Sequence, residues 1–242
     1  MQNREDQVAL KKGDIKKLDI LNTAETLFCR RGYEQTSIQD ILDQLHTSKG
    51  SFYHHYISKE SVLEGICSRR AEQIYQAISD KQNPEEGTIY NLNLLLSGMI
   101  PFQDEKLSFL LMLLPIFNTT DGRTVRSYFC DALSDCFRDS VCMLIEKGVC
   151  EGNIISAEPG YTTNIILSTI NGLWTGICDF VLKCEINRTE ADVSEILRMT
   201  DCYRLMIERM LSLPYGSVEL ADLQAVTNMC RQIHNHWMHK NN

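Results

Sequence analysis

Apolar residues recur at intervals of three and four along most of this chain, and no run of alternating polarity persists. The three-four spacing places apolar side chains on one face of a helix, so it is typical of amphipathic α-helices and not of strands. The pattern is clearest over residues 38–45 and 223–237. We therefore predict an all-α protein.

A short helix and a tight turn are predicted after residue 35. Thr36 or Ser37 can cap the helix, and Gln39, three residues after Thr36, completes a capping-box pattern. The turn is formed by His46 and Thr47. A second short helix follows directly, which gives the outline of a helix-turn-helix.

The second short helix is predicted over residues 49–55, with Ser48 as its cap. Phe52 and Tyr56 lie four residues apart and share one face. The remaining positions are rich in Lys, Ser, Tyr and His and poor in acids. This composition suits contact with a polyanion. A long third helix is predicted to begin at Lys59.

An ordered set of positions within residues 16–63 is more specific than any one of them. The set comprises Ile20-Leu21, Ala24, Leu27-Phe28, Gly32-Tyr33, Thr36-Ser37-Ile38, Ser48 to Tyr56 and Ser58-Lys59-Glu60. In these positions the chain resembles the DNA-binding domain of the TetR family of bacterial transcription regulators. Two positions depart from the family pattern, because Leu45 replaces a small residue and His46 replaces the turn glycine. His tolerates positive φ better than most residues but less well than Gly.

The resemblance implies which side chains meet double-stranded DNA. Those expected in the major groove or at its rim are Ser48, Lys49, Ser51 and His54. Those expected to hold phosphates are Thr36, Ser37, Tyr53, His55 and Lys59. Lys49 is the best candidate for a guanine edge, since lysine donates to guanine O6 and N7.

The chain divides into two predicted domains. Residues 1–64 form the helix-turn-helix DNA-binding domain, and residues 65–242 form a larger helical domain for ligand binding and dimerisation. The all-α body also resembles TetR-family regulatory domains, although less closely than the N-terminal part does. The apolar segment 107–117 is predicted to be a central buried helix.

Small residues recur every four positions at Ser168, Gly172 and Gly176. Such a ridge lets another backbone approach closely, and the family dimerises through a four-helix arrangement. We therefore predict a homodimer interface here, because helix-turn-helix proteins bind paired half-sites. The alternative is a close contact within one subunit.

A second set of residues could line a cavity for a small-molecule effector, since ligand pockets are mostly apolar with a few placed polar groups. The set comprises Phe109, Met112, Phe129, Asn171, Trp174, Thr175 and Asp179. The alternative is that these residues belong to the core or to the dimer interface.

Net charge is −8 over 242 residues, and the acidity lies mainly outside the proposed DNA-binding domain. Residues 1–65 hold nine Lys/Arg against ten Asp/Glu, net −1, and residues 66–242 hold fifteen against twenty-two, net −7. DNA affinity must then come from well-placed phosphate contacts and dimerisation, and it should fall with salt.

The ten cysteines are expected to be buried thiols in a reducing cytosol, since they form no CxxC pair. Cys230 and His234 lie four apart, with His236 and His239 nearby, but Cys230 belongs to an apolar seam and a metal site is disfavoured. No apolar run approaches the about 18 residues needed to span a bilayer. Neither a catalytic arrangement nor a phosphate-cradling loop is present, so no enzyme and no cofactor are predicted.

These observations predict a cytoplasmic, ligand-responsive repressor that binds a palindromic operator as a homodimer. The alternative is a TetR-like co-activator or adaptor that works through a protein partner without a small-molecule inducer. The acidic body and the unusual turn at His46 favour that alternative.

Overall fold

The structure is a computed structural model that describes residues 12–100, 120–187 and 189–240. Over these residues the chain is helical, with turns and loops between the helices and no strand. The predicted all-α fold is confirmed. Phe109, Met112 and the expected central helix over residues 107–117 lie outside the described residues.

The two short helices predicted around the turn, and the long helix predicted to begin at Lys59, are present. The helices are α1 (Lys12–Arg31), α2 (Ile38–Gln44), α3 (Lys49–Tyr53), α4 (Lys59–Ser79), α5 (Thr88–Gly98), α6 (Thr120–Cys150), α7 (Pro159–Asn187), α8 (Val193–Leu211) and α9 (Leu223–Lys240). Helix α3 is shorter than expected, because His54 closes it as the C-terminal cap.

The chain forms two compact units that meet between Ile66 and Cys67. This position falls inside α4, two residues beyond the domain boundary predicted from the sequence. The assignment of DNA binding to one unit and regulation to the other is part of the function proposed below.

The first unit is built on the apolar face of α1. Ile20, Ala24 and Phe28 on this helix are buried, with exposed fractions of 0%, 0% and 1%. The helix ends at Gly32, whose φ of +90° reverses the chain and whose N–H donates to Phe28 O at 2.9 Å. Glycine suits this position because a Cβ would strain the left-handed conformation.

In the second unit each described helix packs on the next described one, from α5 to α9. The three-four stripes seen in the sequence are the buried faces. Examples are Leu92, Leu95 and Leu96 in α5, Leu133, Phe137 and Ile145 in α6, and Val226, Cys230 and Ile233 in α9. The part of α4 that belongs to this unit joins the packing through Tyr75, whose ring meets Phe137 edge-on at 5.1 Å.

One described helix, over Pro159–Cys184, is long and apolar enough by composition alone to cross a membrane. Half of its apolar window is buried inside the protein, and the helix packs between α6 and α8. This is the environment of a core helix, and a core helix can be as long and as apolar as one that spans a membrane.

All ten cysteines lie among the described residues and are free thiols. The expectation that they are buried holds for Cys67, Cys130, Cys178, Cys184 and Cys230. Burial raises the pKa of the Cys130 thiol to about 12, so this group is uncharged near neutral pH. The expectation is wrong for three others, because Cys29, Cys150 and Cys202 are exposed.

Candidate DNA-binding surface

Helix α2 begins with a reciprocal cap formed by Ser37 and Asp40. The Asp40 N–H donates to Ser37 Oγ at 3.1 Å, and the Ser37 N–H donates to Asp40 Oδ2 at 2.7 Å. Hydrogen bonding from the Ser37 hydroxyl is the main cause that holds the pKa of Asp40 below its usual value. The capping box predicted from Thr36 and Gln39 is therefore wrong by one position.

The turn between α2 and α3 is a Schellman motif that requires a left-handed residue at position 46. The Thr47 N–H donates to Leu42 O at 3.1 Å, and the His46 N–H donates to Asp43 O at 3.2 Å. His46 has φ of +49°. The residue that departs from the family pattern thus adopts the conformation that a glycine would supply at lower cost.

Helix α3 is anchored by one face and presents the other. Ser48 caps it by accepting the Ser51 N–H at 3.2 Å, and Phe52 is fully buried. Ser48, Lys49 and His54 are exposed, and half of the Tyr53 side chain is exposed. The anchored face fixes the helix, so the exposed side chains have defined positions.

Two histidines follow α3 directly. The rings of His54 and His55 meet edge-on with their centroids 4.9 Å apart. His55 is half-buried, and it lies beside the start of α1, where a Cβ at Gly13 would be 4.0 Å from its Cε1. Each ring therefore restricts the orientation of the other at the end of α3.

Besides Ser37, which is bonded to Asp40, two further residues expected to hold phosphates have partners inside the protein. Thr36 is fully buried, and its hydroxyl donates to Gly32 O at 2.9 Å. Its role as a phosphate contact is therefore corrected, because a buried hydroxyl engaged in the turn cannot reach DNA in this conformation. The Lys59 Nζ donates to Tyr33 O at 2.9 Å and lies 4.1 Å from the centroid of the Tyr33 ring.

In the second unit, α7 and α8 flank an open groove. It is lined by Asn164, Ile165, Ser168, Thr169, Gly172, Tyr203 and Met206. Ile165 and Met206 are apolar but 54% and 55% exposed. The groove therefore offers apolar surface to water along the ridge of small residues.

The three small residues of the ridge differ in their surroundings. A Cβ at Gly176 would lie 3.1 Å from the Met199 sulfur, so this glycine allows α7 and α8 to approach within one subunit. A Cβ at Gly172 would meet Tyr203 at an ordinary distance of 3.4 Å. Ser168 is exposed at the open end of the groove. The alternative of a contact within one subunit thus holds for Gly176.

The described residues expected to line an effector cavity lie where α6 meets α7. Trp174 is buried, with its ring centroid 5.7 Å from that of Phe129. The Asn171 amide donates to Ser134 Oγ at 2.9 Å. Thr175 is half-buried beside them, and Asp179 is exposed and pairs with Arg126 at 2.7 Å. These residues form one interhelical layer with polar groups set among apolar ones.

The DNA-binding candidates fall within a segment that matches a known family. Residues 20–66 match the profile described as bacterial regulatory proteins, tetR family. Over this segment the chain is similar to the TetR family. The resemblance drawn from the ordered motif is thereby confirmed.

Curated relatives match a short stretch of this chain. The HTH-type transcriptional repressor KstR2 of Rhodococcus jostii is 41% identical over 51 residues, which cover 21% of this chain and 25% of the relative. The chain thus spans about a quarter of the length of this relative.

Solved structures extend the likeness in fold beyond the N-terminal region. A TetR-family transcriptional regulator from Pectobacterium atrosepticum aligns with a TM-score of 0.56 at 18% identity, over 84% of this chain and 97% of its own. A SmeT complex with triclosan aligns with a TM-score of 0.52 at 16% identity, over 86% of this chain and 98% of its own. At these identities the comparison establishes a shared fold.

Proposed function

We propose that this protein is a transcriptional repressor that binds a palindromic DNA operator as a homodimer and releases it when a small molecule binds its body. The observation that carries the proposal is the exposed face of α3, held in place by the Ser48 cap and the buried Phe52 within a TetR-family head. Such a repressor acts in the cytosol.

The DNA contacts follow from exposure and chemistry. Ser48, Lys49, Ser51 and His54 read or border the major groove, with Lys49 on a guanine edge. Ser37, Tyr53 and His55 hold phosphates, and the N-terminus of α2 adds N–H groups there. Thr36 is no part of this surface, because it is buried.

Selection of binding sites from random duplexes tests the DNA proposal. The native protein should enrich a palindrome or near-palindrome, because a symmetric dimer places two equal heads on the duplex. Lys49→Met should relax the preference at one base position, at about 1–3 kcal/mol. Lys17→Met, which removes an exposed charge from α1, is the control. Enrichment of a single asymmetric half-site by a monomer would contradict the proposal.

The groove between α7 and α8 supports the homodimer. A second copy of the same face would cover the exposed Ile165 and Met206 across a symmetric contact. Gly172→Leu would fill the floor of the groove beside Tyr203 and weaken the dimer. Gly160→Leu is the matched control, because nothing lies within 4 Å of a Cβ at that position. Sedimentation of both variants over a range of concentrations should show dissociation of the first alone.

The layer between α6 and α7 supports the effector. It combines the buried Trp174 and Phe129 with the amide of Asn171, which is the usual make-up of a ligand pocket. The similarly folded SmeT has been solved with triclosan bound. A ligand of this protein should be mostly apolar, carry one or two polar groups and weaken operator binding.

A screen of apolar compounds against the protein on its operator tests the effector. The expected compound releases the native protein from DNA, and it binds the Asn171→Leu variant more weakly than the native protein. Ser97→Ala, which changes a half-buried polar residue of α5, is the control. A protein partner that binds the second unit, with operator affinity indifferent to every compound, would favour the adaptor instead.

A further inference from the structure

His54 and His55 lie side by side at the end of α3, on the surface proposed to bind DNA. His54 is the C-terminal cap of α3 and is exposed, and His55 is half-buried. Their ring centroids are 4.9 Å apart, and the ring planes meet at 74°. Histidine is the side chain whose charge ordinarily changes between about pH 5 and 8. The pair can therefore exchange a proton with water near neutral pH.

The segments around the pair carry no net charge among the side chains that the structure describes. His55 lies beside the start of α1, at Gly13. The described charged residues of α2, of α3, of the first turn of α4 and of α1 within one turn of Gly13 are Asp14, Lys16, Lys17, Asp40, Asp43, Lys49, Lys59 and Glu60. Four lysines thus balance four acids. A bound phosphate would therefore change the balance of charge at the two rings.

Contact with DNA brings negative charge to this end of α3. A duplex carries one phosphate charge for about every 1.7 Å along its axis. An anion within about 4–6 Å favours the charged form of an imidazole, which then donates from both ring nitrogens. The 4.9 Å between the rings of His54 and His55 limits this gain, because two positive rings at that distance repel each other. The pair therefore takes up one proton more readily than two.

We propose that the His54–His55 pair takes up one proton when this surface binds DNA, so that operator affinity rises as the pH falls from about 8 to 6. The inference rests on the proposed DNA binding and adds its dependence on pH. The proton comes from solvent and is held on an imidazole nitrogen beside a phosphate. A homodimer with two such heads takes up at most about two protons.

Operator affinity, measured at fixed salt across this pH range, tests the proposal. The native protein should bind at least about tenfold more tightly at pH 6 than at pH 8, because proton uptake links the binding equilibrium to pH. The steepest slope of log affinity against pH should be about −1 and should not exceed −2 in size. A double variant, His54→Gln with His55→Gln, keeps neutral hydrogen-bonding groups and should lose most of this dependence.

A third histidine of the same unit provides the matched control. His46 lies in the turn between α2 and α3 with φ of +49°. His46→Asn removes a titrating ring, and asparagine tolerates this backbone conformation. The variant should keep the native dependence on pH. Thermal melts at each pH check that both variants are folded under the conditions of the binding measurement.

Calorimetry counts the protons in the native protein, so the proposal stays testable without any variant. The heat of operator binding is measured near pH 7 in buffers that differ in ionisation enthalpy, and it should show uptake of up to about one proton per head. Uptake of none would overturn the inference and leave the histidines as neutral contacts. Uptake of clearly more than one per head would overturn the sharing of one proton between the rings.

The affinity measurements can contradict the inference in two further ways. A native affinity that is as flat with pH as that of the double variant would overturn it. A double variant that keeps the native dependence on pH would do so as well, because the proton would then bind elsewhere. A native protein that selects no DNA sequence would instead overturn the proposed function, and the inference with it.

Discussion

Replacing His46 with glycine should stabilise the first unit. His46 has φ of +49°, and a left-handed backbone costs an L-residue roughly 1–2 kcal/mol that glycine does not incur. Glycine loses more backbone entropy on folding, which offsets roughly 0.5–1 kcal/mol of this gain. The net stabilisation expected for His46→Gly is therefore about 0.5–1 kcal/mol. For a domain of this size it corresponds to a rise in melting temperature of about 2–8 °C.

A second histidine in the same unit offers a matched control. His54 is also exposed, but it has φ of −69° and ψ of −28°, which suit any L-residue. His54→Gly should therefore destabilise the unit by about 0.5–1 kcal/mol. Urea denaturation of the full chain, followed by hydrogen exchange in the peptide covering residues 38–56, reports on the first unit. Equal destabilisation by both substitutions would refute the reasoning about the turn.

Three further predictions concern packing and charge. Gly148→Ala should cost about 1–3 kcal/mol of stability, because the new Cβ would lie 2.5 Å from Cδ1 of the buried Ile154. Glu208→Ala should cost about 3–5 kcal/mol, because the buried carboxylate accepts the Arg204 guanidinium and two backbone N–H groups on one oxygen. Asp40→Asn should lower stability at pH 6. The difference should shrink below pH about 4, since a lowered carboxyl pKa contributes stability that is lost as pH falls through it.

Denaturant titrations check all three, each with its own comparison. Gly160→Ala, with open space at its Cβ, should change stability little, and a loss equal to that of Gly148→Ala would rule out the clash. Glu208→Gln keeps an acceptor oxygen and should lose less than Glu208→Ala. The free energies of unfolding of the native protein and of Asp40→Asn should not differ by the same amount at pH 6 and pH 3. A constant difference would contradict the role given to the charge of Asp40.

The helices of this protein were predictable from apolar spacing, because a buried stripe with a period near 3.6 leaves few alternatives. The cap of α2 was not. Thr36 and Ser37 are adjacent, and each has a possible partner three residues later, so the sequence allows two registers. Burial decides between them, because only Ser37 with Asp40 lets Thr36 turn into the core.

In the candidate site, features set by neighbouring residues were predictable from the sequence, and features set by distant residues were not. The exposed positions of α3 followed from its length and its anchoring Phe52. The partner of Lys59 lies 26 residues earlier in the chain, and it is a backbone carbonyl, which no side-chain pattern reveals. The ridge of small residues on α7 was likewise ambiguous, since Gly176 faces Met199 of the same chain.

The buried carboxylate of Glu208 has a consequence for how the C-terminal region responds to proteases. The segment Pro214-Tyr215-Gly216-Ser217 has the composition of a loop that is readily cut, and Tyr215 is 81% exposed. Yet the N–H of Gly216, which belongs to the bond that would be cut after Tyr215, donates to Glu208, and so does the N–H of Val218 two residues later. Chymotrypsin can therefore cut there only when these hydrogen bonds open, and its rate of cutting measures how often the loop detaches from α8.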